Sequence, residues 1–390
     1  MQTIEIGSNL RDRPRTKCGA GAPTLVIASV GTSSDTDDLA DELAKVRAAV
    51  RAGAQAVTDH SFFGNFAGLH KQIAATEDVI LSAVTCYEFA ASYSRGDWAG
   101  AAASSAIDVL EDQVSRGIDM ITVHASVRKQ DLALLSESTR LIPTTSKGGG
   151  IVSNYVRHTG LENPYYEHFD DVLRILRSHG VVLSLGTALR AASVCDHWDQ
   201  SMATELTVMS ELVERSLAAG VAVMVEGLGH APMDAIPTYV QLTKAHCHGV
   251  PYRVLPMATD RALGFDHISG AIGTAVAVAA GADAVTAMSR SEHIGLPSID
   301  DTVEGVVAAR IGAACGELVK LRDFREEEQM SRTRWARGCK GDWTAAIYPI
   351  GAESELAKRG RLDDQMIQCR MCGEYCGIAN GIASVIHPPA

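Results

Sequence analysis

The sequence predicts an α/β fold, a TIM-like (β/α)8 barrel that carries a C-terminal helical arm and a cysteine-bearing tail. Two observations predict it. A phrase of helix, glycine and short apolar strand recurs six times, and after about residue 322 that rhythm gives way to a charged stretch and a cysteine cluster.

Residues 1–22 stand apart as an N-terminal segment. Its opening, MQTIEIGSNLRDRPRTK, holds charge without the apolar h-region of an export signal. Nowhere do about 18 unbroken apolar residues occur, so no membrane span and a cytoplasmic location are expected. The barrel domain is placed at 23–322. Its phrase appears at R-A-G-A-Q-A-V-T-D around Gly53, S-R-G-I-D-M-I-T-V-H around Gly117 and S-H-G-V-V-L-S-L-G around Gly180. It returns at A-A-G-V-A-V-M-V-E-G around Gly220, C-H-G-V-P-Y-R-V-L around Gly249 and A-A-G-A-D-A-V-T-A-M around Gly281. Glycine there accepts the left-handed backbone that ends a helix, and the β-rich run behind it suits a strand buried on both faces. Helices between the strands show apolar spacings of three and four, as in Leu39, Leu43, Val46 and Val50, or Leu206, Met209, Leu212 and Val213. Adding residues 25–30, 80–86 and 141–145 gives nine candidate strands, one more than a closed eight-stranded barrel uses, so one lies outside it. An open doubly wound sheet competes, but no G-x-G-x-x-G follows the first strand. Residues 323–390 form the arm and tail. The stretch R-D-F-R-E-E-E-Q-M-S-R-T-R-W-A-R reads as a charged helix, and residues 351–368 as an exposed polar lead to the final cysteines.

At 390 residues and 46% hydrophobic content the chain can bury a substantial core. Lys and Arg total 35 against 47 Asp and Glu, a net charge of -12, which removes the positive field that nucleic acid needs. Six of nine cysteines (Cys18, Cys86, Cys195, Cys247, Cys315, Cys339) are scattered singly, the pattern of a reducing compartment. Special cysteine chemistry is thereby left to the last three.

In β/α barrels chemistry sits where the strands deliver their C-terminal ends. Polar groups follow almost every apolar run: Ser29, Asp59 with His60, Tyr87, His124, Ser146 with Lys147, Arg190, Glu226 with His230, Arg253 with Asp260, and Glu292 with His293. Any one alone reads as a satisfied structural group; the set is harder to explain that way. E-G-L-G-H sets Glu226 and His230 on a glycine-rich turn, and S-R-S-E-H-I-G-L-P supplies Glu292 and His293. Two neutral imidazoles from different strands can hold a divalent ion and leave positions open. T-T-S-K-G-G-G offers the Ser146 hydroxyl, the Lys147 charge and unshielded N–H groups from Gly148 onward, either an anion nest or a plain surface turn. C-R-M-C-G-E-Y-C gathers Cys369, Cys372 and Cys376. Three thiolates hold three irons of a four-iron cluster and leave one iron free for a small molecule. Structural zinc would want a fourth ligand, for which His387 and Cys339 are the nearest candidates.

From about Ile27 to that motif the sequence resembles the thiamin pyrimidine synthase family, the ThiC-like phosphomethylpyrimidine synthases, and its 5-hydroxybenzimidazole-forming paralogues. The likeness runs through V-G-T-S-S-D, M-I-T-V-H-A, E-N-P-Y-Y-E-H-F-D, L-S-L-G-T-A-L-R and A-G-V-A-V-M-V-E-G-L-G-H-A-P-M-D. It continues through H-C-H-G-V-P, F-D-H-I-S-G-A-I-G, S-E-H-I-G-L-P and C-R-M-C-G-E-Y-C. The resemblance implies a radical S-adenosylmethionine (SAM) carbon–carbon lyase acting on 5-aminoimidazole ribotide or a close analogue. Its product would be hydroxymethylpyrimidine phosphate for thiamin, or 5-hydroxybenzimidazole, a cobalamin lower ligand. The resemblance also implies a 4Fe-4S cluster on Cys369, Cys372 and Cys376, and a divalent metal, zinc or iron, on His230 and His293. A domain-swapped homodimer, whose tail reaches the partner's active site, and a flavodoxin- or ferredoxin-type electron donor are implied with them. Substrate-contacting positions match at Tyr87, His124, Ser146, Gly148, Arg190 and Glu226, with Glu226 and His124 as acid–base candidates. Where the family carries Asn, Met, Arg, Asp and Tyr, this chain has Ser29, Thr58, Lys147, Thr187 and Arg253, which marks a divergent paralogue with an altered substrate shell. The cysteine spacing, C-x2-C-x3-C, is also one residue shorter in its second gap. Two other classes stay open: a metal-dependent aldolase or hydrolase whose tail is a zinc knob, and a non-enzymatic iron–sulfur sensor.

Overall fold

All six helix-ending glycines adopt the left-handed backbone, with φ from 67° at Gly180 to 114° at Gly281. Each is followed directly by a barrel strand. The computed structural model describes residues 1–93, 97–136, 138–196, 198–337, 340–362 and 371–377. Along the chain the strands are β1 (Thr3–Ile6), β2 (Thr16–Gly19), β3 (Leu25–Val30), β4 (Ala56–Asp59), β5 (Ile80–Val84), β6 (Met120–Val123), β7 (Val182–Leu185), β8 (Val223–Gly227), β9 (Tyr252–Val254) and β10 (Ala284–Thr286). The last eight close into a parallel barrel in the order β10-β3-β4-β5-β6-β7-β8-β9, with helices between successive strands. The predicted barrel is therefore the fold.

Residues 141–145 are the candidate strand that fails. Their backbone bonds are used elsewhere: the N–H groups of Leu141 and Ile142 go to the Asp196 carboxylate at 2.9 and 3.0 Å. The Thr144 hydroxyl donates to the Ala188 carbonyl at 2.7 Å, and Leu141 is 72% exposed. The stretch runs instead into Ser146, whose hydroxyl caps the helix Lys147–Thr159 by accepting the Gly149 N–H at 3.0 Å.

The N-terminal segment, unassigned from sequence, is an antiparallel hairpin of β1 and β2. Its Ile4, Ile6 and Cys18 pack on Leu25, Ala56, Ile80, Met120, Val182 and Ala284, the first residues of their strands, and so stopper the N-terminal end of the barrel. Two buried carboxylates brace this end. Asp119 pairs with Arg11 and accepts the N–H groups of Ser8 and Leu81 at 3.0 and 2.9 Å. Asp283 pairs with Lys244 and with Lys320, the latter at 2.8 Å.

The chain divides into two compact units, Met1–Lys320 and Leu321–Ala390. In the second, the helices Arg325–Arg337 and Pro349–Lys358 precede a single turn at Gly373–Tyr375. Among the described residues no helix is long and apolar enough to cross a membrane.

Candidate active site

Period-two alternation sets the barrel interior. The apolar residues Ala56, Ile80, Met120, Val182 and Ala284 share a face with Thr58, Ser82, Thr122, Ser184 and Thr286, two places on in each strand. A layer of hydroxyls therefore lies above the apolar floor, with Glu226 two places on from Met224. Over it, at the C-terminal strand ends, opens a cavity of about 110 Å³. Thr122, Thr286, Glu226 and Arg253 contribute to its lining, together with Ser29, His60, Tyr87, His124, Lys147, Arg190, His230, Glu292 and His293. A wider lobe of about 450 Å³ shares Ser29, His60, Lys147, Glu292 and His293 and adds Phe62, Ile294 and Leu296.

Most of the residues singled out in the sequence are thus brought together. Of the substrate positions, four stand off the lining, and so do Asp59 and Asp260. Thr58 is fully buried, its hydroxyl 3.4 Å from Arg253 Nη2. Thr187 borders a void of about 30 Å³ beside Trp198 and Tyr252, with its hydroxyl 3.4 Å from Arg190 Nη1. Ser146 and Gly148 belong to the start of the helix Lys147–Thr159, so the glycine run forms an ordinary helix N-terminus and the Lys147 side chain faces the cavity. Gly148 is required there for closeness: a Cβ would lie 2.3 Å from the His124 ring, and one on Gly186 would lie 2.7 Å from it. The imidazole is seated between two bare backbones.

Three of the charged side chains in the cavity are coupled to one another. Glu226 lies 3.0 Å from Arg190 Nη1 and 3.7 Å from Arg253 Nη1. Burial alone would raise its pKa, but Arg253, Arg190 and His124 together hold it below the ordinary carboxylate value. His124 is lowered as well: burial, then Arg190 and Arg253 against the pull of Glu226, bring it down to about 4. His60, half-buried and desolvated beside Lys147 and Arg253, falls to about 3. Both imidazoles are neutral at pH 7. Tyr87 stacks on Phe62 with ring centroids 4.3 Å apart and an interplanar angle of 25°.

The two histidines proposed as metal ligands face one another, ring centroids 5.5 Å apart. Each is held by a carboxylate on its Nδ1 side, His230 by Asp260 at 2.7 Å and His293 by Asp266 at 3.3 Å. That bracing leaves each Nε2 to a metal, the usual outer-shell arrangement for metal-bound imidazole. Among the described residues no group of three or more His, Cys, Asp or Glu side chains is gathered closely enough to hold an ion unaided. The pair fits a metal whose remaining positions are filled from outside the chain.

In the tail, Cys372 and Cys376 flank the turn Gly373–Tyr375, the first exposed and the second buried. Two thiols at the ends of one short turn suit a shared cluster. Cys369 lies outside the described residues, as do Cys339 and His387.

Several contributors escaped the sequence reading. Asp266 sits inside F-D-H-I-S-G but betrays nothing until the fold brings it to His293. Cys86, read as one of the scattered thiols, lies with its Sγ 3.8 Å from His124 Nδ1. Glu205 accepts the Ser126 hydroxyl and the Ala188 and Leu189 N–H groups at 2.5, 2.5 and 2.9 Å, which fixes the loop carrying Arg190. Thr122 and Thr286 were visible in principle, since each is the third residue of its strand, as Thr58 is.

The sequence profile of the Radical SAM ThiC family matches residues 3–381. A phosphomethylpyrimidine synthase from Desulforudis audaxviator is 39% identical over 387 residues, covering 96% of this chain and 88% of that protein. One from Moorella thermoacetica is 38% identical over 370 residues, with 92% and 84% covered. Phosphomethylpyrimidine synthase 1 from Methanothermobacter thermautotrophicus is 36% identical over 383 residues, with 96% and 88% covered.

Proposed function

Because this chain belongs to the Radical SAM ThiC family, we propose that it rearranges a phosphorylated imidazole ribonucleotide, 5-aminoimidazole ribotide or a close analogue, as in hydroxymethylpyrimidine phosphate synthesis. Membership makes the protein an enzyme of radical SAM chemistry and sets aside the sensor and aldolase readings. The observation that carries the proposal is the convergence in one cavity of a lysine at a helix N-terminus, a buried ionised carboxylate and two carboxylate-braced imidazoles.

Cys369, Cys372 and Cys376 would hold a 4Fe-4S cluster, which would supply the electron for cleavage of S-adenosylmethionine. The residues of the barrel do the rest by placement. Lys147 and the N–H groups of the first turn of its helix would hold the phosphate, and the Ser146 cap fixes that turn. Glu226, kept ionised between Arg190 and Arg253, would accept from a ring amine or take up its proton. His124, neutral and rigidly seated, is the second acid–base candidate beside Glu226. Tyr87 and Phe62 give an apolar wall that excludes water. His230 and His293 would hold a divalent metal, zinc or iron, as two of its ligands. A homodimer and an electron donor of flavodoxin or ferredoxin type are the partners this reading implies.

The test is anaerobic reconstitution with iron and sulfide, then mass spectrometry after incubation with reductant, S-adenosylmethionine and 5-aminoimidazole ribotide. Deoxyadenosine should appear together with hydroxymethylpyrimidine phosphate; 5-hydroxybenzimidazole would redirect the product, and deoxyadenosine without either would remove this substrate. The Cys372→Ala protein should lose both its brown absorption and deoxyadenosine formation, and retention of both would refute the cluster assignment.

A further inference from the structure

Arg253 is the least well-matched charge in the barrel. It is 1% exposed, yet only one of its hydrogen bonds is of ordinary length, from Nε to the Thr286 hydroxyl at 2.9 Å. Its Nη1 and Nη2 reach the Thr122 and Thr58 hydroxyls at 3.5 and 3.4 Å, and its Glu226 contact is at 3.7 Å. Glu226 leans on Arg190 at 3.0 Å, so two guanidiniums share one carboxylate. Arg190 in turn keeps a buried Nε with no hydrogen-bond partner among the described residues. Lys147 adds a third cation to the same lining, and its other carboxylate, Glu292, is at the half-exposed rim shared with the wider lobe. A buried cation without a close counter-ion is costly, and a guanidinium offers a planar pair of donors that matches a carboxylate.

We propose that Arg253 determines specificity by binding a carboxylate on the imidazole ring of the ribonucleotide, so that the preferred substrate is a carboxylated aminoimidazole ribotide. This deepens the function proposed above and rests on it. With the phosphate held at Lys147, the ring enters ahead of it and meets Thr122, Thr286 and Arg253. A ring carboxylate there accepts from both Nη groups and adds to the charge that Glu226, closer to Arg190, supplies only in part.

The test is anaerobic calorimetry on the reconstituted full chain with three probes: 5-aminoimidazole ribotide, the same ribotide carboxylated at ring carbon 4, and ribose 5-phosphate. The carboxylated ribotide should bind about tenfold more tightly than the plain one, the scale of a charge-assisted hydrogen bond. Arg253→Gln should erase that preference and leave ribose 5-phosphate binding unchanged, while Arg253→Lys keeps part of it. Should Arg253→Gln fail to fold, the wild-type comparison decides alone. Equal or weaker binding of the carboxylated ribotide overturns the inference and leaves the ribotide reading standing. Loss of ribose 5-phosphate binding in Arg253→Gln would assign Arg253 to the phosphate and overturn it as well. Binding of neither ribotide would overturn the ribotide reading and the inference together.

Discussion

Burial keeps two imidazoles of the barrel mouth uncharged, and this has a consequence for stability. His60 and His124 fall to about 3 and about 4 from an ordinary 6.5. Between 6.5 and those values the unfolded chain binds more protons than the folded one, so the stability they contribute is present above pH 6.5 and lost as pH falls through that window. Glu226, also depressed, acts in the same direction at lower pH. The thermal midpoint should therefore drop between pH 7 and pH 5, and His124→Gln should flatten that slope; a midpoint independent of pH would contradict the burial argument. Asp266 permits a second residue-level test. Asp266→Asn weakens the brace on His293, and a metal titration should show roughly 10- to 100-fold lower affinity. His230 and His293 could be picked out in the sequence because histidine after a strand is informative wherever a barrel is expected. Asp260 stood among the same strand-end groups, but its pairing with a histidine 30 residues away is made only by the fold, and Asp266 carried no signal of its own.

At the level of the element, the helix Lys147–Thr159 depends on glycine in one place and not in another. Gly148→Ala drives a methyl into the His124 ring and should cost about 1–3 kcal/mol, with loss of ribotide binding. Gly150, two residues on, faces open space, and Gly150→Ala should stabilise by about 0.5–1 kcal/mol. Thermal unfolding of the two variants side by side measures the difference. This helix also explains the misread strand before it. T-T and the apolar pair Leu141–Ile142 have the composition of a strand, but Asp196 takes the N–H groups that a ladder would need, and no local pattern announces a carboxylate 55 residues away. The barrel strands were legible for the opposite reason: their glycines are dictated by local backbone geometry, and parallel neighbours bury both faces.

For the molecule as a whole, stability and chemistry are placed at opposite ends of the barrel. Ile6 is fully buried in the hairpin, so Ile6→Ala should cost about 2–5 kcal/mol while ribotide affinity, read by calorimetry in the folded range, stays at the wild-type value. A shift in affinity as large as the loss in stability would show that the two ends are coupled. The hairpin itself was missed in the sequence, because the alternation of T-I-E-I is only four residues long and T-K-C-G has none. It nonetheless closes the N-terminal end of the barrel, so among the described residues the cavity opens at the C-terminal strand ends. Whatever settles deepest, against Arg253 and the threonines, arrived before anything resting above it and leaves only afterwards. Under the proposed function, fragments shed from the nucleotide would find no exit through the hairpin end, and turnover would be a stack unloaded from the top.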